Sequence, residues 1–216
     1  GRLLPLDQDL QLDDDTATRF HDFIIERQVG RRALVGSTDT NQPIIESSYL
    51  RLLDLLQEHL GAAPFLLGER PGRGDFGLYG QLKPLLWWDP TPMAIAVSRS
   101  PRAVNWIERV DDLSWWPTDG DDGWSAIDQL GPGVHRLLTE IGRTYAPFMV
   151  ANASALAAGA DEVVCEIDGQ EYRQGPFPYQ GKCLGWVREA YAALDEPSRA
   201  TVDSLLAGTG CEPLIA

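Results

Sequence analysis

The sequence predicts a mostly α-helical protein with one small β-hairpin near its C-terminus. In most segments the apolar residues recur at steps of three and four, which is the spacing of one face of a helix. Only residues 163–173 place β-prone residues on both sides of a short turn. Strands and helices do not alternate as they do in a parallel α/β sheet. We therefore expect roughly six to eight helices, one hairpin and no internal repeat.

The strongest helical pattern follows Pro43 and stops at Gly61. Its apolar stripe consists of Ile45, Tyr49, Leu52, Leu53, Leu56 and Leu60. A second helix is predicted to begin near Asp75 and to run through Leu82. Pro84 should limit or kink that helix, because proline has no backbone N–H to donate.

Proline also marks the next two helices. A short helix is expected after the proline-rich turn at 90–92, and another from Pro101. Ser100 is a suitable N-cap for the second, because its hydroxyl oxygen can accept a hydrogen bond from a first-turn amide. Turn-forming residues fill 114–124, which we predict to be a loop.

The last part of the chain is predicted to be helical on both sides of the hairpin. Residues 131–158 have a helical pattern that is interrupted or bent at Pro147. A further apolar stripe consists of Leu184, Val187, Tyr191 and Leu194, and a last helix ends at Gly208.

The hairpin turn is predicted at Asp168-Gly169, a dipeptide that favours two-residue loops. The resulting register pairs Cys165 with Tyr172 and Glu166 with Glu171. The second pair places like charges opposite each other, which costs a little stability at an exposed position.

The charge of the chain excludes several classes of partner. It has 18 basic and 32 acidic residues and a formal charge of −14. A polyanion is repelled by such a chain, so we predict no nucleic-acid partner. No segment approaches the roughly 20 apolar residues of a membrane span, so no membrane partner is predicted either.

The metal-binding and redox residue types form no predicted site. Cys165, Cys183 and Cys211 share no CxxC spacing, which predicts neither a disulfide framework nor a zinc site and fits a cytoplasmic protein. The three histidines are scattered, and the acidic runs at 13–15 and 119–122 are typical of loops or caps. Cys183 follows the first turn of a helical pattern, where a reactive thiol is one interpretation and a buried, inert cysteine is favoured.

Asp75 lies in the stretch "PFLLGERPGRGDFGLYGQL", residues 64–82, and two roles are open to it. It is either a catalytic carboxylate or a structural cap. Gly72 and Asp75 have the three-residue spacing of a capping box, although Gly72 has no side-chain oxygen to contribute. Asp75 would then stabilise the helix alone, by its charge and by accepting from the backbone near residue 72.

This stretch resembles the segment of glutathione S-transferase C-terminal domains that leads into their central buried helix. "SPRAVNWIERV", residues 100–110, resembles the proline-initiated helix of the same domain. The resemblance covers residues 43–113 well and 1–42 loosely, and Gly72 and Gly74 depart from the usual residues. It implies a helical bundle over 1–128, followed by a helical extension over 129–216 that carries the hairpin at 163–173. In that family the aspartate is structural.

The resemblance implies a protein whose glutathione-binding half lies outside this chain. Such transferases activate the thiol of glutathione with a residue of an N-terminal thioredoxin-like domain, and this chain offers no candidate for it. We therefore expect no catalytic residue and no cofactor in the chain, with glutathione as cosubstrate of the full-length protein. The expected partner is the thioredoxin-like domain, and a homodimer is an open alternative.

The resemblance assigns this chain the wall of an electrophile pocket. The candidate substrate-binding residues are Phe20, Phe23, Tyr79, Trp87 and Trp88. Core packing is the competing interpretation of these aromatic residues, and adjacent Trp87 and Trp88 cannot both point inward. The two functional hypotheses are thus an inactive C-terminal part of a glutathione S-transferase-like enzyme and a non-catalytic binding or protein-interaction module.

Overall fold

A computed structural model describes residues 3–216 of the chain, except residues 115, 118 and 121. The helices within these residues are α1 Leu3–Gln8, α2 Asp14–Gly30, α3 Gln42–His59, α4 Arg73–Lys83, α5 Pro90–Arg99, α6 Pro101–Asp111, α7 Pro132–Ala158, α8 Pro178–Ala192 and α9 Glu196–Leu206. One antiparallel pair of strands, β1 Val163–Ile167 and β2 Gln170–Gln174, forms the hairpin. The predicted mostly α-helical class with one hairpin is confirmed. No helix in the described part of the chain is long and apolar enough to cross a membrane.

The hairpin has the predicted register. Cys165 pairs with Tyr172 and Glu166 with Glu171. The turn residues Asp168 and Gly169 have φ angles of 55° and 73°, the left-handed conformation that Asp-Gly turns favour. The Arg173 side chain donates to Glu171 over 2.8 Å, which offsets the repulsion between the paired glutamates.

Proline marks the predicted boundaries of α4 to α6. Helix α4 ends at Lys83, and Pro84–Trp88 forms a wider helical turn closed by the Asp89 amide, which donates to the Pro84 carbonyl over 2.9 Å. Asp89 then caps α5, whose first turn contains the prolines that were predicted to precede it.

Ser100 stands at the N-cap of α6, but the predicted hydroxyl cap is wrong. Its Oγ atom is buried and makes no hydrogen bond within the described residues. The Arg102 amide instead donates to Oε1 of Gln57 on α3, over 3.0 Å. Gln57, on the neighbouring helix α3, thus supplies the kind of acceptor that the sequence predicted for the Ser100 hydroxyl.

Helix α7 continues through Pro147 for 27 residues, so the predicted break does not occur and the helix accommodates the proline. Proline at this position has no N–H to donate to the Arg143 carbonyl and crowds that carbonyl with its ring, yet α7 continues without a break. Helix α7 packs against α3, β1 and α8, and so lies at the centre of the fold. A left-handed Gly159 with φ of 64° ends it.

Two clusters of buried apolar residues form the interior. The first lies among α3, α4, α5 and α6 and includes Leu53, Leu56, Phe65, Leu82, Leu86, Ala96, Ala103, Trp106, Ile107 and Val110. The second joins α3, α7, α8 and the hairpin through Ile44, Phe148, Met149, Val163, Ile167 and Leu184. Helices α3 and α7 face each other between the two clusters.

Two buried asparagines connect distant parts of the chain. The Asn41 amide group donates to the Arg173 carbonyl over 2.7 Å and accepts from the Arg173 amide over 3.2 Å. Asn152 forms the same kind of pair with the backbone of Phe177, at 3.0 Å and 2.8 Å. These bonds fix the hairpin and the start of α8 against the helical body.

Candidate functional site

An apolar cleft of about 730 Å³ opens between α3, residues 66–67, α4 and α7, and we call it the α3–α7 cleft. Its volume is within the range of small-molecule sites. The apolar lining consists of Ile45, Leu52, Leu66, Leu67, Leu78, Val134, Leu137, Leu138 and Ile141. Several of these side chains remain partly exposed, since Ile45, Leu67 and Ile141 border open solvent.

Glycines keep one side of the α3–α7 cleft open. Gly72, Gly74 and Gly77 line it from the start of α4. A Cβ atom added at Gly77 would meet no heavy atom within 4 Å, whereas one at Gly74 would approach Leu66 to 3.1 Å. The volume beside Gly77 is therefore empty space that a larger side chain could fill.

Asp75 borders the cleft and holds two segments together. Its Oδ2 atom accepts from the Gly72 amide over 2.9 Å, as a capping carboxylate at this position does. Its Oδ1 atom accepts from the Leu66 amide, also over 2.9 Å. The side chain is only 1% exposed. Burial raises the pKa of Asp75, whereas the two amide hydrogen bonds act to lower it. A structural cap remains the predicted role of Asp75, and both hydrogen bonds are of the kind that such a cap makes.

Three of the four hydroxyl groups in the lining are already used inside the protein. Ser48 donates to the Ile45 carbonyl over 2.8 Å, and Thr144 donates to the Glu140 carbonyl over 2.7 Å. Tyr49 donates to the Pro92 carbonyl over 2.9 Å. Tyr145 also lines the cleft, and its hydroxyl makes no hydrogen bond within the described residues. A tyrosine hydroxyl is ordinarily protonated at neutral pH, and burial raises the pKa of Tyr145 further.

Among the described residues, Glu140 is the other charged residue of the lining, and it is also engaged. Two nitrogen atoms of Arg51 contact the Glu140 carboxylate, with Nε to Oε2 and Nη2 to Oε1 both at 2.9 Å. The Nη1 atom of Arg51 donates to Asp168 of the hairpin turn over 2.8 Å. Within the part of the chain that the structure describes, the side chains that line the cleft therefore offer a ligand no unpaired charge.

The predicted substrate-binding aromatics lie outside the α3–α7 cleft. Phe20 is half-buried on α2, and Phe23 on the same helix is 57% exposed. Trp87 and Trp88 are 43% and 38% exposed, so neither is part of the buried core. The structure brings Tyr79 and Trp87 together beside Lys83 but places Phe20 and Phe23 on a different element.

The rings of Tyr79 and Trp87 both lie near the ammonium group of Lys83. Lys83 Nζ lies 5.0 Å from the ring centroid of Trp87 and 5.9 Å from that of Tyr79. Lys83 also pairs with Asp111 over 2.8 Å, and the Tyr79 hydroxyl donates to the same carboxylate. That hydrogen bond raises the pKa of Tyr79 to about 12. The cluster is a polar contact between α4 and α6 at the protein surface.

The cysteines do not assemble into a redox or metal site. All three are free thiols; Cys211 is buried, and Cys165 and Cys183 are half-buried. Burial raises the pKa of Cys165 and that of Cys211. Across the described ranges, no group of three or more His, Cys, Asp or Glu side chains could hold a metal ion. Part of the acidic run at 119–122 lies outside the described residues.

Comparisons of the chain with protein-family models, with curated proteins and with solved structures each gave no significant match.

The α7 wall of the cleft was not predicted from the sequence. Leu137, Ile141 and Tyr145 are four residues apart and lie on one face of α7. This spacing was a usable signal, and with it Tyr145 could have been proposed as a lining residue. The facing residues on α3 could not be matched to it, because nothing in the local pattern shows which two helices pack together.

Proposed function

We propose that this chain binds an apolar small molecule in the α3–α7 cleft and is the helical portion of a glutathione S-transferase-like protein. The observation that carries the proposal is the cleft itself, which combines small-molecule dimensions, a mostly apolar lining and no unpaired side-chain charge. The resemblance of residues 64–82 and 100–110 to the transferase helical domain supports the second part. In this proposal the chain supplies a pocket wall, and glutathione is bound and activated by a thioredoxin-like domain.

The chain alone is proposed to be catalytically inactive. Activation of a thiol needs a nearby base or hydrogen-bond donor aimed at the sulfur of bound glutathione. The α3–α7 cleft has no free cation for the carboxylates of that peptide, and both of its own carboxylates are engaged. A cytoplasmic location and a homodimer belong to the same proposal.

Binding of ethylnaphthalene, an uncharged aromatic hydrocarbon, tests the proposal directly. We expect saturable changes in proton–nitrogen correlation spectra of the protein. Gly77→Leu should abolish them, because its side chain occupies the cleft. Gly80→Leu is the matched control, since Gly80 is on the same helix, has no neighbour within 4 Å of an added Cβ atom and does not line the cleft. Equal binding by all three proteins would show that the probe binds elsewhere and would contradict the proposal.

A non-catalytic protein-interaction module is the second candidate, and the surface of α2 favours it. Phe23, Ile25 and Val29 on this helix are 57%, 48% and 57% exposed. Among the described elements, α2 packs mainly against α1 and the short 3₁₀ helix Arg32–Val35. Ile25 and Val29 are four residues apart and therefore share one face of α2, and an exposed apolar helix face is typical of an interaction site. Sedimentation of wild type and of Val29→Ser would show whether this face joins two copies.

A further inference from the structure

We infer that the ligand of the α3–α7 cleft is an uncharged, largely apolar molecule with a hydrogen-bond acceptor, and that the Tyr145 hydroxyl donates to that acceptor. This inference rests on the proposed function, because it assumes that the cleft is a binding site. It adds the chemical class of the ligand and the residue that orients it.

Tyr145 is identified as the residue that donates to the ligand by comparing the hydrogen-bond donors of the lining side chains. Ser48, Tyr49 and Thr144 direct their hydroxyl hydrogens at backbone carbonyls of the protein. Asp75 and Glu140 are acceptors that are filled by amides and by Arg51. Tyr145 is the only lining side chain in the described residues whose donor is unused. A ligand that fills the cleft therefore finds one side-chain donor and needs one acceptor to match it.

The charges around the cleft exclude ionic ligands. An anion would find no unpaired cation there and would approach the carboxylates of Asp75 and Glu140 in a chain of formal charge −14. A cation would lose its hydration among leucine and isoleucine side chains without gaining a free carboxylate. An uncharged ligand avoids both costs.

The position of Tyr145 also suits orientation of a ligand. Tyr145 is 43% exposed and lies four residues beyond Ile141 on α7. Gly77 lies on α4, across the cleft from α7. A ligand whose apolar part lies over Gly77 can then place its acceptor at the Tyr145 hydroxyl. The absence of a side chain at Gly77 leaves room for the apolar part of the ligand, and the Tyr145 hydroxyl favours a ligand that has a hydrogen-bond acceptor.

Three probes of similar shape test this inference. They are ethylnaphthalene, acetylnaphthalene and naphthoate, substituted at the same ring position, so that they differ in having no acceptor, an uncharged acceptor or a negative charge. Wild type should bind acetylnaphthalene roughly threefold to tenfold more tightly than ethylnaphthalene, which is the effect of one net hydrogen bond. Naphthoate should bind most weakly of the three.

Tyr145→Phe is the decisive variant, because it removes only the hydroxyl and leaves every hydrogen bond of the described fold intact. It should bind ethylnaphthalene as wild type does and lose the preference for acetylnaphthalene. If wild type shows no preference, if the variant keeps it, or if naphthoate binds best, the ligand class inferred here is wrong while the cleft remains a binding site. If no probe binds wild type, or if Gly77→Leu binds all of them unchanged, both this inference and the proposed function fail.

Discussion

The Leu66 amide donates to Oδ1 of Asp75 over 2.9 Å, which joins the segment before the glycine-rich turn to the helix after it. The same carboxylate caps α4 through the Gly72 amide. Asp75 thus closes the loop that separates these residues and places Leu66 and α4 on one wall of the α3–α7 cleft. The helix cap and the shape of the candidate site depend on one side chain.

Asp75→Ala should destabilise the protein by about 2 to 3 kcal/mol, because it removes a cap and leaves the Leu66 amide without its acceptor. Denaturant unfolding measures the change. Asp13→Ala is a matched control, since Asp13 caps α2 at an exposed position by accepting from the Thr16 amide over 2.9 Å. Its loss should be smaller than that at Asp75. Equal stability of wild type and Asp75→Ala would show that neither hydrogen bond matters.

Gly142→Ala should be strongly destabilising, by about 2 kcal/mol or more. An added Cβ atom would lie 2.0 Å from the Thr209 carbonyl oxygen, so α7 and the C-terminal segment would have to separate. Gly185→Ala on α8 is the control, because no atom lies within 4 Å of its added Cβ. That variant should gain about 0.5 to 1 kcal/mol from helix propensity. Thermal unfolding of both proteins compares them, and a stable Gly142→Ala would contradict the close packing described here.

Asn41→Ala should loosen the hairpin. It removes the pair of hydrogen bonds to Arg173 and leaves the Arg173 amide and carbonyl without these partners. We expect a loss of about 1 to 3 kcal/mol, since backbone groups that are partly shielded from water and left unpaired are costly. Hydrogen exchange at the Arg173 amide should accelerate more than exchange in α6. Uniform acceleration at both places would indicate a global effect instead.

The alkaline stability of the protein should depend on Tyr79. Asp111 raises the pKa of this phenol to about 12 in the folded state, whereas an unfolded tyrosine titrates near 10. The hydrogen bond therefore contributes fully below about pH 10, and its contribution is lost as the pH rises toward 12. Asp111→Asn should lower the pKa of Tyr79, as followed by phenolate absorbance with Tyr79→Phe as the blank. An unchanged titration would mean that this hydrogen bond does not form in solution.

The sequence predicted correctly those structural elements that depend only on residues close together in the chain. The Asp168-Gly169 turn fixed the hairpin register, and Pro101 marked the start of α6, because each acts through its own backbone. The hydroxyl cap at Ser100 was wrong because Gln57, 45 residues away from Arg102, supplies the acceptor. Only the packing of α3 against α6 creates that contact.

The α3–α7 cleft was beyond the reach of local patterns for the same reason. Its walls come from helices that are far apart in the chain, and the aromatic residues favoured from the sequence lie elsewhere. Asp75 could be predicted as a cap from its spacing to Gly72, but its bond to Leu66 depends on how the intervening loop folds. The spacing to Gly72 thus predicted one of the two hydrogen bonds of Asp75, and the other depends on tertiary packing.

The central claim is that an apolar ligand occupies the α3–α7 cleft, and intermolecular nuclear Overhauser effects from bound ethylnaphthalene test it most directly. We predict contacts from the probe to the methyl groups of Leu137 and Ile141, which line the cleft, and none to Ile25 of α2 or Val187 of α8, which are exposed elsewhere. Contacts confined to Ile25 or Val187, or no contacts at saturating probe, would contradict the claim.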